Sequence, residues 1–203
     1  MTDKKDVLRY EKSRYSKPDQ RLVNIRERRI IRRILQSLGP NPINVLDVPC
    51  GYGRFTSILS EKASWVICSD LSRAMVERCR ENAPEDRCGF IVADVHRLPF
   101  RDSSFDLVFT LRLLQHFSSP KDRAEALSEL SRVTRRWAIV SFYRRNLFHS
   151  LTRGLMGLKG HITMYPDLKA FVLEAEHSGL NVSETYPILS FLHAQTIALL
   201  KVP

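Results

Sequence analysis

The sequence is poor in the devices that staple or anchor a chain. Its four cysteines, Cys50, Cys68, Cys79 and Cys88, include no C-x-x-C pair. None stands at metal-ligand spacing from a histidine, which argues against a structural zinc site or a disulfide framework. Each reads instead as a small buried apolar residue in a reducing compartment. No apolar run approaches the roughly 18–20 residues that a membrane-spanning helix needs. The opening MTDKKDVLRY has no apolar core of signal-peptide length, so a cytoplasmic location is expected. Internal repeats and low-complexity tracts are also missing. Acid is missing from one long stretch: residues 130–166 carry seven Lys/Arg and no Asp or Glu.

What is present points to one soluble α/β unit. The 203 residues are 43% hydrophobic and 27% charged, enough to bury a core without staples. The net charge of +10 is uneven. Residues 1–40 carry 12 Lys/Arg against 5 Asp/Glu, and outside the two basic segments 17 acids outweigh 13 bases. Two basic segments beside a mildly acidic body suggest an anionic partner: a phosphorylated or carboxylated substrate, RNA or a lipid surface. A plain solvated basic surface is the alternative.

Short apolar strands alternate with amphipathic helices. Ile31, Ile34, Leu35 and Leu38 put one apolar face on a helix over about 20–38, which GPNP at 39–42 stops. Strands are predicted at 43–48, 64–70, 89–95, 105–111 and 137–143. Helices are predicted at 53–62, 73–82 with Ser72 as N-cap, from Pro120 after Ser119, and at 167–178 before Gly179. Two further strands, about 181–189 and 194–202, finish the chain. Such alternation implies crossover connections and a mostly parallel sheet with helices on both faces. Ligands of these sheets bind beyond the carboxyl ends of the strands.

At those ends stand three acids: Asp47, Asp70 and Asp94. A bare row of carboxylates is costly to bury, so the rim asks for a ligand with donors or positive charge. Asp70 follows the glycine turn by one strand, where an acid accepts from ribose hydroxyls. Asp94 lies beyond it, within reach of a purine amine. Asp47 lies under the turn, where it would oppose a pyrophosphate and favour a cation. S-adenosylmethionine (SAM) meets all three demands. Gly51 and Gly53 permit the turn. Pro49 replaces the first glycine of a G-x-G-x-G pattern, which suits a position needing neither positive φ nor a donor. Asp47 as a simple turn cap, and Asp106 as a helper of the turn before strand four, are the structural readings. Cys50 after Pro49 sits at the wrong strand for a methylating nucleophile.

VLDVPCGYGRF, SDLS and ADVHRLPFRDSSFDLVFTLRLLQHF together resemble the class I SAM-dependent methyltransferases, in their small-substrate, type 11-like branch. The resemblance covers nearly all of the chain after residue 40. It implies a Rossmann-like, seven-stranded, mostly parallel sheet ending in an antiparallel strand pair. The domain division expected from the sequence is a basic N-terminal helical lid over residues 1–40 and a SAM-binding domain over 41–203 with a basic insertion at about 144–165. Asp47, Pro49, Gly51, Gly53, Asp70, Leu71, Asp94, Val95, Thr110 and Leu111 would hold the cofactor, which leaves as S-adenosylhomocysteine (SAH). His116 falls where the second His of the family's HH pair stands, and Gln115 replaces the first.

Methyl transfer from a sulfonium needs mainly alignment. A base is required only where the acceptor must lose a proton, and His116 is the candidate. Arg112 could pair with an anionic acceptor, and Tyr10, Arg14 and Tyr15 could close over the site. The basic, leucine-rich segment 144–161 suits a lid, a peripheral membrane contact or a core-facing insertion. The expected acceptor is a small or lipid-linked, anionic molecule, methylated on oxygen, nitrogen or carbon. An RNA methyltransferase is the main alternative, and a non-catalytic SAM-binding scaffold the second.

Overall fold

The computed structural model describes residues 3–41, 43–84, 86–145, 163–189 and 194–203. Residues 146–162 of the expected basic insertion lie outside the described residues. Two helices, α1 (Lys4–Arg14) and α2 (Pro18–Ser37), precede the sheet. Then come β1 (Ile43–Asp47), α3 (Thr56–Ser60), β2 (Ala63–Asp70), α4 (Arg73–Asn82) and β3 (Cys88–Val92). β4 (Phe105–Thr110), α5 (Pro120–Val133), β5 (Thr134–Tyr143), α6 (Leu168–His177), β6 (Asn181–Pro187) and β7 (Gln195–Lys201) follow.

The seven strands form one sheet in the order β3-β2-β1-β4-β5-β7-β6. β1 to β5 pair in parallel, whereas β7 runs antiparallel to β5 and to β6. The order reverses at β1 and β4, so the crevice beyond their carboxyl ends is the topological place for a ligand. Successive strand residues face opposite layers. Val45, Leu107, Phe109, Ile197 and Leu199 meet Ile31, Ile34 and Leu35 of α2 on one face. Leu46 and Val108 meet Leu130 and Val133 of α5 on the other, beside a cluster in which Ala198 and Leu200 join Phe171 of α6. Both faces are covered, which is why the strands read as near-continuous apolar runs.

α2 is therefore part of the packed layer, whereas α1 lies over α4 and beside the carboxyl-end crevice. Sequence periodicity does not reveal α1. Val7 is its one buried residue, and ion pairs hold it: Lys4 to Glu81 at 2.6 Å and Glu11 to Arg78 at 2.7 Å. Three local expectations are corrected. β3 ends at Val92, so Asp94 sits two residues beyond the strand. α3 begins only at Thr56, because residues 50–55 form turns. Asp106 lies within β4, accepting from the Asn44 amide at 3.0 Å and pairing with Arg135 at 3.0 Å.

Candidate active site

The turn after β1 builds the floor. The Val48–Pro49 peptide is cis, and Gly51 and Gly53 take φ values of +54° and +85°. A Cβ on Gly51 would meet nothing within 4 Å, so this residue leaves its side of the turn open to the crevice. A Cβ on Gly53 would lie 3.1 Å from Cys79 Sγ and 3.2 Å from its Cα. Gly53 thus lets α4 pack under the turn.

Two cavities meet at Pro49 and Asp70. The larger, about 420 Å³, is bordered by Asp47, Gly51 and Leu111 of the strand-end turns, and by Tyr10, Arg14, Tyr15, His116 and Tyr143. The smaller, about 290 Å³, is bordered by Leu71, Asp94, Val95, Leu113 and Phe117. Asp70 is oriented by two backbone donors: Gly51 N at 3.0 Å and Ser72 N at 2.9 Å. Burial raises its carboxyl, with those donors opposing. Asp47 is 2% exposed and, among the described residues, its side chain accepts only a long 3.4 Å bond from Thr56 Oγ1. Burial pushes it well above the carboxylate range. Asp94 is half-exposed; the His96 amide (3.0 Å) and ring (2.9 Å) hold its carboxyl low. The three acids thus spread along two adjoining cavities, with Asp70 at the junction.

Arg112 departs from expectation. It adopts φ +61°, and its amide donates to Ser141 Oγ at 2.7 Å. Its Nε and Nη2 both donate to Glu27 Oε1, at 3.0 and 2.9 Å, so a carboxylate from within the protein already engages it. Glu27 is fully buried and also accepts from Arg54 and from Gln195 Nε2 at 2.8 Å. Burial alone would raise the Glu27 carboxyl; the charges of Arg54 and Arg112 outweigh it and hold it below its ordinary value. Sequence reading passed over Glu27, although it sits in phase with Val23 and Ile31 on the apolar stripe of α2. An acid in that register is the signal that finds it.

His116 borders the larger cavity, with Gln115 Nε2 at 3.5 Å from its Nε2. Burial, and then the Arg14 charge, lower its pKa, so the imidazole is neutral at pH 7. Arg14 lies 5.9 Å from the ring centroids of both Tyr10 and Tyr15, and its Nε is buried without a hydrogen-bond partner. Leu111 borders the cavity, but Thr110 borders neither: its side chain is 1% exposed and turned into the protein.

Residues 46–142 match the family model of the methyltransferase domain. The chain carries a class I SAM-dependent methyltransferase domain. The malonyl-[acyl-carrier protein] O-methyltransferase of Erwinia pyrifoliae is 37% identical to it over 123 residues, 60% of this chain and 43% of that protein. The tRNA (carboxymethyluridine(34)-5-O)-methyltransferase of Xenopus tropicalis is 32% identical over 110 residues, 50% of this chain and 17% of that one. The methyltransferase thus aligns with less than half the length of either relative. In fold it is similar to the magnesium protoporphyrin IX methyltransferase from Synechocystis with bound SAH. That match has a TM-score of 0.78 and 18% identity, covering 92% of this chain and 88% of that one.

Proposed function

We propose that this methyltransferase moves the methyl group of SAM to an oxygen of an anionic, carboxylate-bearing acceptor, small or carrier-linked. The observation that carries the reading is Arg14. Its guanidinium borders the cavity beside a neutral His116, and among the described residues no carboxylate pairs with it. A cation left over at the acceptor side calls for an anion, and a guanidinium fork matches a carboxylate.

The residues fit SAM on the cofactor side. Asp47, buried with one weak partner, suits the ammonium of the amino-acid tail, because a buried acid gains most from a cation. Asp70 stands where a ribose would bridge the two cavities and can accept from its hydroxyls. Leu71, Val95, Leu113 and Phe117 make an apolar slot for adenine, with Asp94 at its edge for the exocyclic amine. SAM supplies an electrophilic methyl on a good leaving group. The chain therefore has to align acceptor and methyl and keep water out. A carboxylate oxygen needs no base, whereas a hydroxyl would give its proton to neutral His116. Both relatives' names couple an oxygen acceptor to a carboxylate-containing group, malonyl or carboxymethyl, which supports the same reading here.

The test is chemical. The protein is incubated with SAM tritiated in the methyl group and with clarified cell extract, and the products are treated with alkali. A carboxyl methyl ester releases its label as volatile methanol; label that survives alkali refutes a carboxylate acceptor. Arg14→Gln should lower transfer by about 10–150-fold, the range of a lost hydrogen bond to a charged group (~1.5–3 kcal/mol), without weakening SAM binding. A second reading, an RNA acceptor, draws on the tRNA-acting relatives and on the exposed Arg26, Arg29 and Arg33 along α2. It predicts transfer that falls steeply with salt and disappears after ribonuclease treatment.

A further inference from the structure

The larger cavity holds an imbalance that the cofactor reading leaves unexplained. Three arginines border it, Arg14, Arg54 and Arg112, against two acidic residues, Asp47 and Asp70. Burial works against the ionised form of both acids. A cavity of that sign would repel a sulfonium. The compensating charge lies one layer back. Glu27 is fully buried, does not border the cavity, and accepts from Arg54, twice from Arg112 and from Gln195. Three separate segments are thereby tied to one carboxylate: the glycine turn through Arg54, the turn after β4 through Arg112, and the start of β7 through Gln195. A second bond adds to the clamp, with Arg28 Nη1 of α2 donating to the Arg54 carbonyl at 2.9 Å.

We propose that Glu27 is a specificity-determining residue for the charge of the cofactor. By offsetting one of the two positive charges of Arg54 and Arg112 it makes the cavity tolerant of a sulfonium, and so sets the preference between SAM and its uncharged product SAH. The proposal rests on the reading of this cavity as the SAM site. Glu27 acts through the two arginines and not by touching the ligand. Its substitution should therefore alter the ratio of two affinities, where a purely structural residue would alter both alike.

The measurement is the dissociation constant for SAM and for SAH, by calorimetric titration of the full chain, in the wild type, Glu27→Gln, Arg112→Gln and the double variant. Gln keeps the shape and an acceptor oxygen at residue 27 but leaves one positive charge uncompensated. SAM affinity should then fall relative to SAH by on the order of four- to sixteenfold, the effect of one charge ~10 Å away at an effective dielectric of roughly 20–40. The double variant restores the charge balance and should return the ratio to within about twofold of wild type. Arg112→Gln alone should move the ratio the opposite way, toward SAM. Equal weakening of both ligands by Glu27→Gln overturns the proposal. If Glu27→Gln does not fold, Arg112→Gln decides: a shift toward SAM supports the assignment and an unchanged ratio ends it. A wild type that binds neither ligand removes the cofactor site itself, an outcome distinct from a bound pair with an unmoved ratio.

Discussion

Replacing Asp47 by Asn should make the empty protein more stable and its hold on SAM weaker. Asp47 is 2% exposed, and its carboxyl's one hydrogen-bond partner among the described residues, Thr56 Oγ1, is a long 3.4 Å away. Burial pushes its pKa well above the ordinary value. A folded-state pKa above the unfolded one (about 3.9) means that the native state binds the proton more tightly. Stability is therefore lost as pH rises from the unfolded value toward the folded one, and the loss persists at neutral pH. Asn carries no charge and escapes that loss. Thermal melts without ligand should show Asp47→Asn above wild type at pH 7, with the gap closing near pH 4. Each kcal/mol gained corresponds to about 2–4 °C in a domain of this size. With SAM the order reverses, since the ammonium loses a charged partner. A hydrogen bond to a charged group contributes ~1.5–3 kcal/mol, so Kd should rise about 10–150-fold. A variant that melts lower than wild type at pH 7 without ligand, or binds SAM equally well, would refute the argument.

Other outcomes follow from the same geometry. Gly53→Ala forces a Cβ to 3.1 Å from Cys79 Sγ at φ +85° and should cost about 1–3 kcal/mol by denaturant unfolding. Phe171 stacks on Phe142 with ring centroids 3.7 Å apart, and Phe171→Ala should cost about 3–5 kcal/mol in the same assay. Burial and Arg14 hold the His116 imidazole below its ordinary value, so it gains its proton only at lower pH. Any limb from His116 should therefore be centred below the usual histidine pKa of about 6.5, and a limb centred above it contradicts the neutral assignment.

Much of this fold is written in local patterns. β1, β2, β4 and β5 announce themselves as short apolar runs because the sheet is covered on both faces. Ser72, Ser119 and Asp167 cap their helices through side-chain oxygens, and Ser119 is followed by Pro120 as the spacing predicts. Where interactions are long-range and polar, pattern falls silent. α1 is held by Lys4–Glu81 and Glu11–Arg78, pairs separated by 77 and 67 residues. Arg112 reads as a free cation after β4 until the fold brings Glu27 to it from 85 residues away. Thr110 and Gly53, which border neither cavity, show the limit of strand-end reasoning. A one- or two-residue difference in where a strand stops, or in which way a side chain points, decides whether a residue borders the cavity.

The central claim is that the carboxylates gathered at this sheet's carboxyl edge grip a cationic nucleoside, and Asp70 at the junction of the two cavities tests it most directly. Calorimetric titration of SAM into the wild type and into Asp70→Ala should show binding by the first and a loss of about 1.5–3 kcal/mol in the second. Equal affinities for the two proteins, or a wild type that ignores SAM at millimolar concentration (weaker than about −4 kcal/mol), would contradict it.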